Sequence, residues 1–504
     1  MVLIYLFVVI VWSYLLVSIQ ASPILDIIFL LSAAFLYLRG RTKYVFIVVL
    51  FFLAPLRFYA QAYLGSVWGL FEQIQKDDIQ FLLDSILPTL TLNTTILIGL
   101  VFIEVSLVGL LFLKIKPFLK NSKFNFLRRV YPVLCFSLAI FFFQQSKSSQ
   151  EVVKYLKLDK NKYYFGTNRL TSAYVEDIGK FENKNMILFI LESVGEKEYN
   201  SERVKKIRKN LQDKYSLSSL FFSQVFNIFP GTTRSHLAIH TGGLALTTGS
   251  LSEEIIEMKA PVHLSQSFSN KKYKTAVFSA AKWQFENLKS FYEKLKWDTF
   301  FDYEDLSLEQ LKNTKENSWG YDENIFLDEL KKSLTKKPKD KKMVVFINNN
   351  THHPYEARSN SIYDPPYQKY SMAVDTMMKN IESVVEYLEK NNQLENTVIA
   401  ITGDHGEAFG KPHPQNYLHR NFLYDENIHN FIDFIYFDRF GIKKLERSNQ
   451  ISQGDIYPTI LNLFNLGENK SPGFSYYEKK QKLIFFYKNA SPEKWGLMDS
   501  EWKY

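Results

Sequence analysis

Hydrophobic residues are patterned in two different ways along the chain. Up to about residue 145 they form nearly unbroken runs, at residues 2–17, 24–38, 45–56, 95–113 and 130–143. Several runs fall short of the roughly 20 residues that cross a bilayer, but each extends through uncharged or aromatic flanks, so five transmembrane helices are predicted over residues 1–145. No Lys or Arg precedes the first run, which speaks against a cleaved signal peptide. Arg39, Arg41 and Lys43 follow the second run, and Lys114, Lys116, Lys120, Lys123, Arg128 and Arg129 follow the fourth, whereas residues 18–23 carry no basic residue. The positive-inside tendency then places both basic loops and the N-terminus in the cytoplasm and everything after about Ser146 outside it. Residues 64–92, on the outer side by the same count, read either as a helix lying on the membrane surface or as a connector packed on the outer domain.

Beyond this the pattern shortens. Residues 146–182 are polar and tyrosine-rich, a linker leaving the membrane. From 183 to 504, short apolar runs at 186–191, 275–279, 343–347, 398–401, 432–437 and 483–487 alternate with amphipathic stretches such as 370–388 and 456–464. That alternation predicts an α/β domain with a mainly parallel sheet and helices on both faces.

Several of these runs end on residues with chemistry. The run from Thr397 stops at Gly403-Asp404-His405-Gly406-Glu407, as a buried parallel strand does when it delivers a carboxylate and an imidazole to the edge where open α/β sheets place their sites. Asp404 and His405 supply a hard oxygen and a borderline nitrogen donor, with flanking glycines that admit a closely approaching ligand. The plainer alternative is an Asx turn with a surface histidine. Glu192 follows the 186–191 run in the same relative position, either converging with Asp404 or merely the first solvated residue. At Gly231-Thr232-Thr233-Arg234-Ser235, a glycine and hydroxyl residues open a helical pattern, giving a helix N-terminus that favours anions. Its threonine is a nucleophile if a metal lowers the hydroxyl pKa, and otherwise a cap. His352 and His353, after the 343–347 run, read as phosphate ligands, proton donors or surface residues. All nine histidines lie between His236 and His429.

Composition adds limits. The net charge of +9 could point to nucleic acid, but part of it is the cytoplasmic loop charge and no interleaving of basic and aromatic residues marks a nucleic-acid groove. Anionic lipid head groups account for the excess more simply. The one cysteine, Cys135, lies in the fifth run, so the outer domain has neither a disulfide nor a CxxC site.

Together these residues resemble the alkaline phosphatase/sulfatase superfamily, and within it the membrane-anchored phospho-head-group transferases. The resemblance covers almost the whole chain: five spans, a linker, and each outer-domain motif in the family order. It implies one divalent metal ion, zinc or manganese, held by Glu192, Thr232, Asp404 and His405. Thr232 is the implied nucleophile because Ser235 and Thr241-Gly242 fit only that register, with Thr233 as the alternative. His352, in a His-x-Pro loop, and His419, four residues ahead of Leu423-Tyr424-Asp425-Glu426, are implied phosphate contacts or proton donors. Trp283 is an implied wall for the head group, or a core residue.

Leu191-Glu192-Ser193, Trp283-Gln284-Phe285-Glu286-Asn287 and Thr351-His352-His353-Pro354-Tyr355 look like lipoteichoic acid synthase and phosphoglycerol transferase sequences. Phosphoethanolamine transferases are the nearer alternative, though Gly-Glu-Thr and outer disulfides are missing. Asp455-Ile456-Tyr457-Pro458-Thr459 resembles a structural sulfatase segment, and residues 495–504 an edge strand of a C-terminal subdomain spanning about 470–504. A true sulfatase would want a modifiable Cys or Ser in place of Thr232. The resemblance thus implies a phospholipid donor, an envelope glycan or glycolipid acceptor, no nucleic acid, and a multi-pass protein of a bacterial-type inner or cytoplasmic membrane. A phosphoester hydrolase and a non-catalytic envelope scaffold are the alternatives.

Overall fold

The computed structural model describes residues 179–243, 263–282, 288–317, 319–355, 366–413, 416–419, 423–438, 450–471, 473–476, 484–488 and 494–498. The five expected spans, the 64–92 segment, Cys135, Trp283 and nearly all of the linker fall outside these residues. Among the described residues no helix is long and apolar enough to cross a membrane.

Strands β1 (Asn185–Leu191), β7 (Lys342–Ile347) and β8 (Thr397–Gly403) form the middle of the sheet, and every residue in them is buried. Covered on both faces, they show continuous apolar runs instead of alternation. The sheet runs β12 (Ile451–Ser452), β2 (Leu217–Phe226), β11 (His429–Phe437), β8, β1, β7, β3 (Lys274–Ser279), β4 (Thr299–Phe301). Alternate side chains of β1 enter opposite halves of the core. Met186, Leu188 and Ile190 pack with Leu237 and Ile239 of helix α2 (Thr232–Thr241) and with Ile456 and Ile460 of helix α7 (Ile456–Leu463). Ile187, Phe189 and Leu191 face Phe326 and Leu330 of helix α5 (Glu323–Thr335) and Val374 and Val385 of helix α6 (Pro366–Lys390). In α6 the buried residues run Tyr370, Ala373, Val374, Met377, Met378, Ile381, Val384, Val385 and Leu388, the three-and-four spacing that the 370–388 pattern predicts.

Three features depart from the sequence reading. β2, with Ser218, Ser219, Ser223 and Gln224 interrupting its apolar residues, has no run to announce it and is drawn into the sheet by its long antiparallel pairing with β11. β11 itself runs antiparallel to both neighbours in an otherwise parallel sheet. The 483–487 run does not enter the main sheet: among the described residues β13 (Ile484–Lys488) pairs only with β14 (Lys494–Met498), in a separate two-stranded sheet. Ile484, Phe486 and Met498 of that smaller sheet pack on Phe226 and Ile428, a small apolar cluster that needs only one face of two strands.

Candidate active site

Leu191 of β1 stands opposite Gly403 of β8 in register, so Glu192 and Asp404 leave adjacent parallel strands together at one edge of the sheet. The turns behind them are tied down. Ser193, in the left-handed region at φ 59°, donates its N–H to Asp404 Oδ1 at 2.8 Å, and its carbonyl accepts from the Tyr370 hydroxyl at 2.7 Å. The Asp404 carbonyl accepts from side-chain amides of Gln453 at 2.7 Å and Asn430 at 3.3 Å, and also from Asn227. A Cβ on Gly403 would lie 1.9 Å from the Val194 carbonyl oxygen, and one on Gly406 would lie 2.1 Å from that of Glu426. These glycines therefore admit neighbouring protein backbone, where the sequence pattern predicts room for a ligand.

Thr232 is the first residue of α2, after the N-cap Gly231, and the helix closes on Gly242 at φ 65°, as the Thr-Gly pair predicts. Its Oγ1 lies 3.3 Å from Glu192 Oε2 and 3.3 Å from His405 Nε2. His405 Nε2 in turn lies 3.3 Å from Asp404 Oδ2 and 3.5 Å from Glu192 Oε1. Thr233 is buried beside Thr232. The predicted ligand set thus converges on one point.

That convergence fits a cation. Donors about 2.0–2.1 Å from one tetrahedral ion stand about 3.3 Å apart, the size of the four distances above. His405 Nδ1 lies 3.1 Å from the Gly406 carbonyl oxygen, which can only accept, so Nδ1 holds the proton and Nε2 turns its lone pair toward two carboxylates. Asp404 Oδ2 is buried and, among the described residues, accepts no hydrogen bond. Lone pairs meeting in a buried site are unfavourable unless a cation or a proton lies between them. Burial and the neighbouring Glu192 raise the Asp404 carboxyl well above the usual carboxylate range, the proton's version of the same demand.

Two histidines form the outer wall. His419 stacks on His405, with ring centroids 4.0 Å apart, and its Nδ1 lies 3.0 Å from Glu407 Oε2. Glu407 Oε1 accepts from the Tyr355 hydroxyl at 2.8 Å; burial pushes the Glu407 carboxyl up to about 7, partly offset by that hydroxyl. His352 meets His419 edge-on at 5.8 Å and packs against Trp319 at 4.1 Å. Its loop is held from behind by buried Glu323, whose Oε1 accepts from the backbone N–H groups of Asn349 at 2.8 Å and Asn350 at 2.9 Å. Further along α2, the Tyr292 hydroxyl lies 2.7 Å from His236 Nδ1 and 2.9 Å from His240 Nε2.

Three further histidines have partners away from the ligand set. His263 caps helix α3 (Leu264–Asn270), His413 pairs with Glu426 at 2.9 Å, and His429 stacks on Phe226. Glu407 and Tyr355 stand inside motifs already legible, an acid two residues after His405 and the Tyr of His-His-Pro-Tyr. Trp319, Glu323 and Tyr292 come from distant segments and carry no local signal.

The sequence profile of the sulfatase family matches residues 184–466, more than half of the chain. Among curated proteins no sequence matches. Among solved structures, the lipoteichoic acid synthase LtaP from Listeria monocytogenes is similar at a TM-score of 0.54 and 18% identity, covering 65% of this chain and 83% of that one. The zinc-bound C-terminal periplasmic domain of EptC from Escherichia coli is similar at a TM-score of 0.48 and 14% identity, covering 65% of this chain and 95% of that one. An alkaline phosphatase superfamily protein from Vibrio parahaemolyticus has a TM-score of 0.48 at 16% identity, over 64% and 78% of the two chains. At such identities the likeness is one of fold.

Proposed function

Since the chain belongs to the sulfatase family, we propose that it is a metal-dependent transferase that moves a phospho-alcohol head group, phosphoglycerol or phosphoethanolamine, from a membrane phospholipid to an envelope glycan or glycolipid. The observation that carries this reading is the Thr232 hydroxyl, 3.3 Å from both Glu192 and His405 at the N-terminus of α2.

Glu192, Asp404, His405 and Thr232 would hold one divalent ion, zinc or manganese, which when bound supplies positive charge favouring the ionised Thr232 hydroxyl and polarising a phosphoryl oxygen. The positive end of the α2 dipole favours the phosphate at the same place. The Thr232 oxygen attacks phosphorus and gives up its proton to His352 or His419, the bond to the diacylglycerol oxygen breaks and that oxygen takes the proton, and the head group stays on Thr232 as a phosphodiester. An acceptor hydroxyl attacks next, losing its proton to His352 or His419, and Thr232 is regenerated. The apolar runs of residues 1–145 would keep the site at the outer face of a bacterial-type cytoplasmic membrane, beside its lipid donor.

The test is incubation of the purified full-length protein, in vesicles, with labelled phosphatidylglycerol and phosphatidylethanolamine. Diacylglycerol release and a head-group mass on Thr232 are expected, both lost in Thr232→Ala and kept in Thr233→Ala. If neither lipid yields diacylglycerol and Thr232→Ala behaves as the parent, the reading fails. Release of the free phospho-alcohol in the presence of glycan acceptors would replace transfer with hydrolysis.

A further inference from the structure

We propose that Glu407 and Tyr355 are positioning residues that fix one tautomer and one orientation of His419, making His419 Nε2 the proton-transfer atom for the acceptor. The inference rests on the transferase reading, because it takes His419 to face the acceptor hydroxyl.

The side chain of Glu407 is fully buried, and its two oxygens are separately engaged: Oε1 by the Tyr355 hydroxyl at 2.8 Å and Oε2 by His419 Nδ1 at 3.0 Å. Neither partner is Lys or Arg, so this is no ordinary buried ion pair, and a carboxylate is costly here unless its charge is used. Glu407 accepts from the Tyr355 hydroxyl through Oε1, and in the same accepting role at Oε2 it places the His419 proton on Nδ1 and, in the neutral ring, leaves the lone pair on Nε2. Turning the ring over would set Cδ2 against Glu407 and lose the bond. Stacking on His405 at 4.0 Å and the edge of His352 at 5.8 Å hold the ring plane.

Tyr355 is itself placed at a cost. It is buried and sits at φ 64°, in the left-handed region that a bulky side chain avoids by roughly 1–2 kcal/mol. Strain of that kind persists where the surroundings need the side chain in one place. Here that place is the oxygen of Glu407 opposite His419.

In the second half of the reaction, the acceptor oxygen bonds to phosphorus while the bond from phosphorus to the Thr232 oxygen breaks. The acceptor's proton passes to His419 Nε2, the electron pair leaves on the Thr232 oxygen, and that oxygen then recovers the proton from the imidazolium. Glu407 favours the imidazolium during the interval, as the carboxylate partner of a catalytic histidine does.

Two measurements on the full-length protein test this. With vesicles of phosphatidylglycerol and a glycolipid acceptor, Glu407→Gln is expected to lower kcat by roughly 100-fold with KM within about 2-fold, the Thr232 adduct accumulating because its discharge is the step impaired. Tyr355→Phe is expected to lower kcat less, and metal content is expected to stay at the parental value in both. With 15N-histidine labelling, and His419 identified by the signal lost in His419→Asn, the ring is expected to show a single Nδ1–H tautomer that becomes a mixture in Glu407→Gln. An unchanged kcat or an unchanged tautomer in Glu407→Gln overturns the proposal. If no phospholipid is turned over by the parent, the transferase reading falls by itself, and the tautomer comparison still decides what Glu407 does.

Discussion

Glu192 and Asp404 are the first residues beyond a register pair, Leu191 opposite Gly403, on two parallel strands that share no sequence neighbourhood. Strand pairing alone brings the two carboxylates together. It also makes them repel, and His405 and Thr232 converge on the same point, as donors around a cation would.

The first prediction follows from that repulsion. In chelated protein the Asp404 carboxyl has a folded pKa above its unfolded value of about 3.9, so the folded state binds the extra proton. Its contribution to stability should then be fully present near or below pH 4 and be lost as pH rises toward the folded pKa. Asp404→Asn should flatten this fall and bind no ion. Thermal melts in chelator at pH 5 and pH 8, with metal analysis, check both. An Asp404→Asn protein that retains full metal content would remove Asp404 from the ligand set, and undiminished metal in Glu192→Ala or His405→Ala would do the same for those residues.

Glu323 gives a pH effect away from the metal ligands. Burial pushes its carboxyl up to about 7, although the backbone N–H groups of Asn350 and Asn349 favour its charged form. Its folded pKa is the raised one, so its contribution to stability is lost as pH rises between about 4.5 and 7, a change on the order of 3 kcal/mol. Glu323→Gln keeps an acceptor for the loop that carries His352 and should remove that slope. Urea melts across this pH range read the difference.

The glycines at the strand end should tolerate no side chain. Gly403→Ala and Gly406→Ala would drive a Cβ to 1.9 Å and 2.1 Å from carbonyl oxygens of fixed backbone, costing roughly 1–3 kcal/mol or more. Gly454→Ala meets nothing nearer than 3.5 Å and should melt close to the parent. Comparable destabilisation in all three would mean that close approach is not what these positions require.

Tyr292→Phe should cost roughly 1–3 kcal/mol, because it strips a hydrogen-bond partner from both His236 and His240 in a fully buried setting. Both histidines lie on α2, so the same change should slow formation of the Thr232 adduct while leaving metal content intact. A rate equal to the parent's would confine Tyr292 to the core.

The residues that announce themselves in the sequence are those whose signal is local. Glu192 and Asp404 each end an apolar run, Thr232 opens a helix after Gly231, and the pairings of β1, β7 and β8 follow from runs buried on both faces. The 370–388 periodicity likewise survives as the buried stripe of α6. What stays hidden depends on a partner far along the chain. β2 becomes a strand because β11 lies beside it, and the 483–487 run leaves the main sheet because β14 pairs with it.

The same division holds within the site. The sequence by itself determined which side chains could act, because a carboxylate after a buried strand and a hydroxyl at a helix start are consequences of nearest neighbours. Only the tertiary structure decided that Thr232 Oγ1, Glu192, Asp404 and His405 meet within 3.5 Å at each of four contacts, and that Glu407 and Tyr355 stand behind His419. The reason is physical: hydrogen-bond geometry and buried charge depend on distances across the sheet edge, and those distances arise from strand register and helix packing, which no local pattern encodes.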